Sequence, residues 1–420
     1  MTKKTKELIS IFIIGVVVFF LGAIICQAAE KEIRLGFSAP LTGSNAEMGV
    51  AMKQGEKMII EEWNAKGGIY LKKYGKKLPI KFFIDDDQSR PEVAVSVGEK
   101  MITRHKVHAH VVSAHSSLCM AVMELAPKYK IPIIGFQTIS GEIAKKVTKN
   151  PARYNYFWKT GYNHYAYGTG CFEVYKSLIE KGLFKPKNKS IAFVVEDTDW
   201  GRSIAKSASD LFKTIGFKNV AIEAIPRGYT DFYPQLSKFK ALDIDIMVSV
   251  IVDVSSGVAL AKQFHEVGLK SAHFAVFYPN RPEYIPGAGK AANYLVWVPL
   301  LVDTKVPRQK AYEEKIKNRW GKRVTMNSDH LFADDGLGIL LEAIERAGSL
   351  EPDAIIEGIK KTDRQGLMGR YIFDMKNHTV RDGKGYLELP VAQIQNGKSG
   401  TIWPDDKATF SYQNPPWLKN

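Results

Sequence analysis

SIAFVVEDTDWGRSIAKSASDLFKTIGFKNVAIEAI, residues 190–225, is the stretch on which the fold turns. Ser190 to Val195 is a short uncharged run that suits a strand buried on both faces. Gly201 to Gly216 reads as a helix closing on glycine, and Val220 to Ile225 returns to strand. Strand, helix and strand in so short a span form a βα unit whose strands lie parallel. Downstream the alternation continues through Tyr233 to Ala241 (helix), Ile244 to Val252 (strand), Ser255 to Gly268 (helix) and His273 to Phe277 (strand). Upstream it runs from Ile33 to Phe37 (strand) through Ala51 to Trp63 (helix), Leu78 to Ile84 (strand), Pro91 to Arg104 (helix), Val107 to Val112 (strand) and Ser117 to Tyr129 (helix) to Ile131 to Phe136 (strand). Two such runs, separated by the aromatic stretch Tyr154 to Tyr167, predict an α/β protein of two doubly wound parallel-sheet lobes. Open parallel sheets bind ligands beyond the carboxyl ends of their strands, so the loops after Phe37, Val112, Phe136, Val195, Val252 and Phe277 are the place to look for function.

The remaining sequence sets bounds. A chain of 420 residues with 45% apolar and 25% charged residues, and with 34 Gly and 19 Pro, has the composition of a large globular protein. Lys+Arg 59 against Asp+Glu 44 gives a net charge of +15, but Lys and Glu alternate in short clusters and no block of five like charges occurs. That pattern reads as a solvated surface and argues against a nucleic-acid or membrane-surface partner. Lys3, Lys4 and Lys6, the apolar run Ile9 to Ile25 and the small residues before Glu30 form the succession of a secretory signal. Residues 1–29 are therefore expected to be removed and the mature protein to be periplasmic or otherwise extracytoplasmic. An uncleaved anchor and lipidation at Cys26 are the alternatives. Removing this segment leaves only Cys119 and Cys171, both placed near helix starts; they either pair or stay reduced, and the fold rests on its core in both cases.

Ala39-Pro40-Leu41-Thr42-Gly43, Gly49, Asn64-Ala65-Lys66-Gly67-Gly68-Ile69, Asp85 to Asp87 with Pro91 and Ala94, and Ser116-Ser117 together resemble the leucine/isoleucine/valine-binding protein family. The resemblance continues through Glu196-Asp197-Thr198-Asp199-Trp200-Gly201, Tyr229-Thr230-Asp231-Phe232 and Gly289-Lys290-Ala291-Ala292 to Met368-Gly369. It implies an extracytoplasmic solute-binding subunit of an ABC importer, a monomer with the type I periplasmic-binding fold, in which three crossovers near residues 158, 299 and 371 join the lobes. It thus implies an N-terminal lobe of residues 30–157 plus 300–370 and a C-terminal lobe of 158–299 plus 371–420. The partners would be a small-molecule ligand, an amino acid or organic carboxylate, and a membrane permease, with no cofactor and no reaction on the ligand. A ligand-sensing receptor of the same fold is an alternative use.

Ser116-Ser117 stands between a strand and a helix start, where free N–H groups favour a carboxylate, unless the serines only cap the helix. The resemblance implies that the first serine holds the ligand carboxylate, that Gln137-Thr138 bonds the charged ends of an amino acid, and that Trp200 is an aromatic lid. Met48 stands where well-known members carry a tyrosine, giving a more adaptable wall. Where amino-acid binders carry a glutamate for the ligand ammonium, this chain reads Ala275-Val276-Phe277-Tyr278-Pro279. Asp253 or Asp199 could replace that anion, because a buried ammonium needs one, unless Asp253 is only a solvated loop residue or a helix cap before Ser255-Ser256. Otherwise the ligand lacks an ammonium and is an aromatic or aliphatic carboxylate, for which Phe136, Trp200 and Tyr278 suit a ring.

Other constellations carry less. His105, His108, His110 and His115 are divided between a buried strand and its flanking loops, which is poor zinc-site geometry, and Asp85 to Asp87 reads as structural. Pro286 to Lys290 is not a phosphate loop, since Tyr284 stands where the first glycine belongs. A secreted enzyme would need a base beside a nucleophile, and Ser116 has only His115 adjacent along the chain.

Overall fold

The computed structural model describes residues 30–112, 115–300 and 306–418. The leader read at residues 1–29 lies outside these.

Among the described residues, two seven-stranded sheets form the centres of two lobes. The first runs from edge to edge as Phe373–Asp374, Thr379–Val380, Phe157–Lys159, Ile133–Gly135, Ala109–Val112, Ile33–Ala39 and Ile80–Asp86. The second runs as Lys398–Trp403, Val391–Gln395, Val296–Val298, Ala272–Phe277, Ile246–Ile251, Ser190–Glu196 and Lys218–Ile225. The strands of each βα run pair in parallel, while segments returning late in the chain add antiparallel edges, Phe373–Asp374 on one sheet and Val391–Gln395 with Lys398–Trp403 on the other. The central strands Ser190–Glu196, Ile246–Ile251 and Ala272–Phe277 are buried along their whole length, which is why they read as mostly apolar runs and not as alternation.

The chain passes between lobes three times. It leaves the first sheet after Lys159, and the helix His164–Glu180 then packs on the helix Asp199–Lys213 of the second lobe. It returns between Val298 and Pro307, and the helix Ser328–Ala347 lies along the helix Ala46–Ala65. The third passage differs from the sequence reading, which put it near 371. Phe373–Asp374 and Thr379–Val380 are hydrogen-bonded into the first sheet, with Thr379 opposite Lys159, so the passage falls between Val380 and Val391. Two further differences are local. The single helix expected over Ser117 to Tyr129 is two, Ser116–Val122 and Leu125–Tyr129. Cys171 lies in the middle of the helix His164–Glu180, not near its start, and both Cys119 and Cys171 are buried and unpaired.

Two loop features position the cleft. Asp86 accepts from the backbone N–H groups of Leu41 (2.9 Å), Thr42 (3.1 Å) and Gln88 (2.8 Å) and from the Thr42 hydroxyl (2.6 Å), so it fastens the Pro40 to Gly43 loop to the neighbouring strand end. Gly49 lets the next helix meet that loop, because a Cβ there would lie 2.1 Å from the Pro40 carbonyl oxygen.

Candidate functional site

A narrow cleft with only about 30 Å³ of free space lies between the lobes, lined by Met48, His115, Ser116, Gln137 and Ile139 of the first and Thr198, Trp200, Val252 and Phe277 of the second. All but Phe277, the last residue of its strand, sit on a loop or helix start following a strand of one of the two sheets, where parallel-sheet topology puts ligands. That space is about the share of one water molecule, so a ligand can enter only when the lobes part.

Ser116 opens the helix Ser116–Val122, and its Oγ accepts from the backbone N–H groups of Ile139 (3.3 Å) and Ser140 (3.1 Å). Both lone pairs are used, leaving the hydroxyl proton to donate. Gln137 is held at a φ of 47°, an uncommon conformation for a residue with a side chain, and both its amide oxygen and nitrogen are buried without a protein partner. Gly161 permits this loop: a Cβ there would stand 2.7 Å from the Thr138 nitrogen. Lys159 braces it from behind, fully buried and donating to the carbonyls of Thr138 and Tyr162, both at 3.0 Å. Burial pulls the Lys159 ammonium down to about 7. Nothing in the sequence pattern marked Lys159, since a lone lysine usually reads as surface.

On the second lobe, Thr198 caps the helix Asp199–Lys213 by accepting from the Gly201 N–H at 3.1 Å. Trp200, in the first turn of that helix, meets Phe277 edge to face with ring centroids 6.1 Å apart. Phe277 itself has φ 83° and ψ −64°, the strained centre of a γ-turn, which aims its ring at the cleft.

Of the residues read from sequence, Met48, Ser116, Gln137 and Trp200 line the cavity, whereas Ser117, Thr138, Asp253 and Tyr278 do not. Ser117 is one step removed, its hydroxyl 2.6 Å from His115 Nδ1. Thr138 is fully buried behind Gln137. Asp253 caps the helix Val254–Val267, its Oδ1 accepting from the Ser256 N–H (2.7 Å) and hydroxyl (2.9 Å). Tyr278 is buried in the second lobe, its hydroxyl 3.0 Å from Ser249 Oγ and its ring against Tyr284, so Phe277 takes the place expected of it. His115, Ile139, Thr198, Val252 and Phe277 were not foreseen individually as lining residues, though all five stand in or beside loops singled out after strands.

No carboxylate is among the described residues that line the cavity. Glu196 lies directly behind Val252, its Oε1 accepting from the Val252 N–H at 2.8 Å and its Oε2 4.0 Å from Arg227 Nε. Burial raises the Glu196 carboxyl, an effect opposed by Arg227. His115 is the one titratable group in the lining, pulled down to about 4 by burial and by Arg227. The other histidines do not converge on a point: His105 stacks on Phe83, His108 lies beside Arg34 and His110 bonds Ser38.

A model of the periplasmic binding protein family matches residues 32–398, and the chain belongs to that family. A Leu/Ile/Val-binding protein homolog 7 from Brucella suis is 22% identical over 411 residues, covering 92% of this chain and 95% of its own. A putative branched-chain amino acid ABC transporter from Silicibacter pomeroyi superimposes with a TM-score of 0.80 at 20% identity, covering 92% of this chain and all of its own. A solute-binding protein of an ABC transporter from Rhodopseudomonas palustris, solved with 3,4-dihydroxybenzoic acid, gives 0.70 at 19% identity and covers 87% of this chain and 94% of its own.

Proposed function

We propose that this periplasmic binding protein is the solute-binding subunit of an ABC importer, closing its lobes on a small carboxylate with an apolar body and handing it unaltered to a membrane permease. It would act as an exported monomer after loss of residues 1–29. Among the described residues, no helix is long and apolar enough to cross a membrane. The carboxylate would meet the Ser116 hydroxyl and the Gln137 amide, and the body would lie against Trp200, Val252 and Phe277.

The observation that carries this choice of ligand is the lining itself, which offers donors on one wall, aromatic and aliphatic surface on the other, and no acid for an ammonium. A branched-chain amino acid is the second reading. It is favoured by the relative from Brucella suis and by Glu196, whose Oε2 is buried without a hydrogen bond behind Val252. Calorimetry against benzoate, 3,4-dihydroxybenzoate, isoleucine and the 2-oxo acid of the isoleucine skeleton separates the two. The acids without an ammonium are expected to bind at least tenfold tighter than isoleucine; the reverse order would hand the site to amino acids. Intact mass of protein from the cell envelope should show loss of the leader, and ligand recovered after release should be chemically unchanged.

A further inference from the structure

Outside the cavity a buried guanidinium spans the two lobes. Arg281 follows the turn Tyr278–Asn280 of the second lobe, its N–H donating to the Tyr278 carbonyl at 3.2 Å. Its Nη1 lies 2.9 Å from Asp329 Oδ2 and 3.4 Å from Glu47 Oε1, both on the first lobe. Arg281 is 6% exposed and Asp329 not at all. Asp329 is fixed in the first turn of the helix Ser328–Ala347, where the side chain of Asn327 caps its N–H at 3.1 Å. The same guanidinium sits 5.3 Å over the ring of Phe277, and Glu47 is the chain neighbour of Met48, so one side chain is tied to both walls of the cavity. Neighbouring interlobe contacts are weaker, with Arg227 Nη1 3.3 Å from Ser44 Oγ and the Gly141 N–H 3.5 Å from Ser203 Oγ.

Taking an arginine and an aspartate out of water is costly unless each finds the other, and here that happens only when the lobes meet. An interaction present in one state and absent in the other shifts a two-state equilibrium by its full differential strength. We propose that Arg281 is a positioning residue of solute capture: its pairing with Asp329 and Glu47 latches the lobes together and holds Phe277 over the ligand. The proposal rests on the hinge-closure reading above and adds the group that sets how readily closure occurs before any ligand arrives.

A cross-linking experiment without ligand tests it. Gly141→Cys with Ser203→Cys places a thiol pair across the cleft, and the chain's own Cys119 and Cys171 are buried and do not compete. The rate of disulfide formation in oxidised glutathione then reports how often the lobes close. Adding Arg281→Met should slow it by about 10- to 150-fold, the range of one charge-assisted hydrogen bond, and Arg281→Lys should restore part of the rate. A rate within twofold of the parent for Arg281→Met overturns the latch, as does a fall that Arg281→Lys does not relieve at all. Should Arg281→Met fail to fold, Asp329→Asn keeps the shape and cap and carries the same expectation, with an unchanged rate again overturning it. A protein that bound none of the four acids would defeat the ligand reading, and these rates, taken without ligand, would still decide the latch.

Discussion

The first-lobe wall of the cavity presents a hydroxyl, an amide and an imidazole beside Met48 and Ile139, whereas the second-lobe wall presents Trp200, Val252 and Phe277 with one hydroxyl, Thr198, which caps its helix as an acceptor and keeps its proton to donate. The two walls therefore contribute different kinds of free energy. In the proposed binding mode, hydrogen bonds from Ser116 and Gln137 would be directional and fix which end of a ligand goes where. Burial against the rings and Val252 is non-directional and grows with the apolar area covered. A ligand would then be oriented on the first lobe, and the second lobe would act as a cover whose grip depends on how much apolar body it finds.

Substitutions on the two walls should consequently fail in different ways. Ser116→Ala removes the free hydroxyl proton and should weaken every carboxylate by about 10- to 150-fold, whatever its body, by calorimetry. Trp200→Ala removes apolar cover worth about 1.5 to 3 kcal/mol against a ring, so benzoate should lose about 10- to 150-fold and acetate almost nothing. Equal losses for both acids in both variants would erase the distinction between the walls.

The contrast also explains what the sequence could reveal. Strand and helix alternate so regularly from Ile33 to Phe277 that both sheets were readable, and the first-lobe wall was readable with them because Ser116 and Gln137 follow directly on strand ends. The third passage was misplaced because Phe373–Asp374 and Thr379–Val380 are two-residue strands, too short to show any period. On the second wall Tyr278 was expected where Phe277 points, a one-residue shift produced by a positive φ that no glycine announces. Asp253 could be read either as a charge facing the cleft or as a cap, and its bond to the Ser256 N–H makes it the cap. The Arg281 to Asp329 pair joins residues far apart in the chain and had no local signature at all.

A third test uses pH. His115, on the polar wall, is held at about 4 against an ordinary value of 6.5. Between those values the unfolded chain binds more protons than the folded one, so stability rises with pH across that window and is lost as pH falls from about 6.5 towards 4. The share of His115 is on the order of 3 kcal/mol when fully developed, and His115→Gln should remove it from the pH slope of thermal unfolding. The slopes of His110 and His273, both pulled down to about 3 and neither lining the cavity, should persist. His115 is neutral between pH 6 and 8, so any change in benzoate affinity across that range should come from Lys159, held at about 7 behind the Gln137 loop, and should persist in His115→Gln. A change that His115→Gln abolishes would mean that His115 carries charge at the ligand.

The smallest effect is expected at Asp253. Its Oδ1 receives both hydrogen bonds from Ser256, and asparagine keeps a carbonyl oxygen in that place. Asp253→Asn should therefore shift stability by only a few tenths of a kcal/mol, and Asp253→Ala should cost about 1 kcal/mol, the ordinary value of a lost cap. Neither should move the affinity for isoleucine or benzoate by more than about twofold, because the carboxylate stands outside the cavity lining. A steep loss for isoleucine alone on Asp253→Asn would show that this carboxylate reaches the ligand ammonium in the closed protein. The second wall would then read the ligand's charge as well as cover its body, and the division of labour between the walls would have to be abandoned.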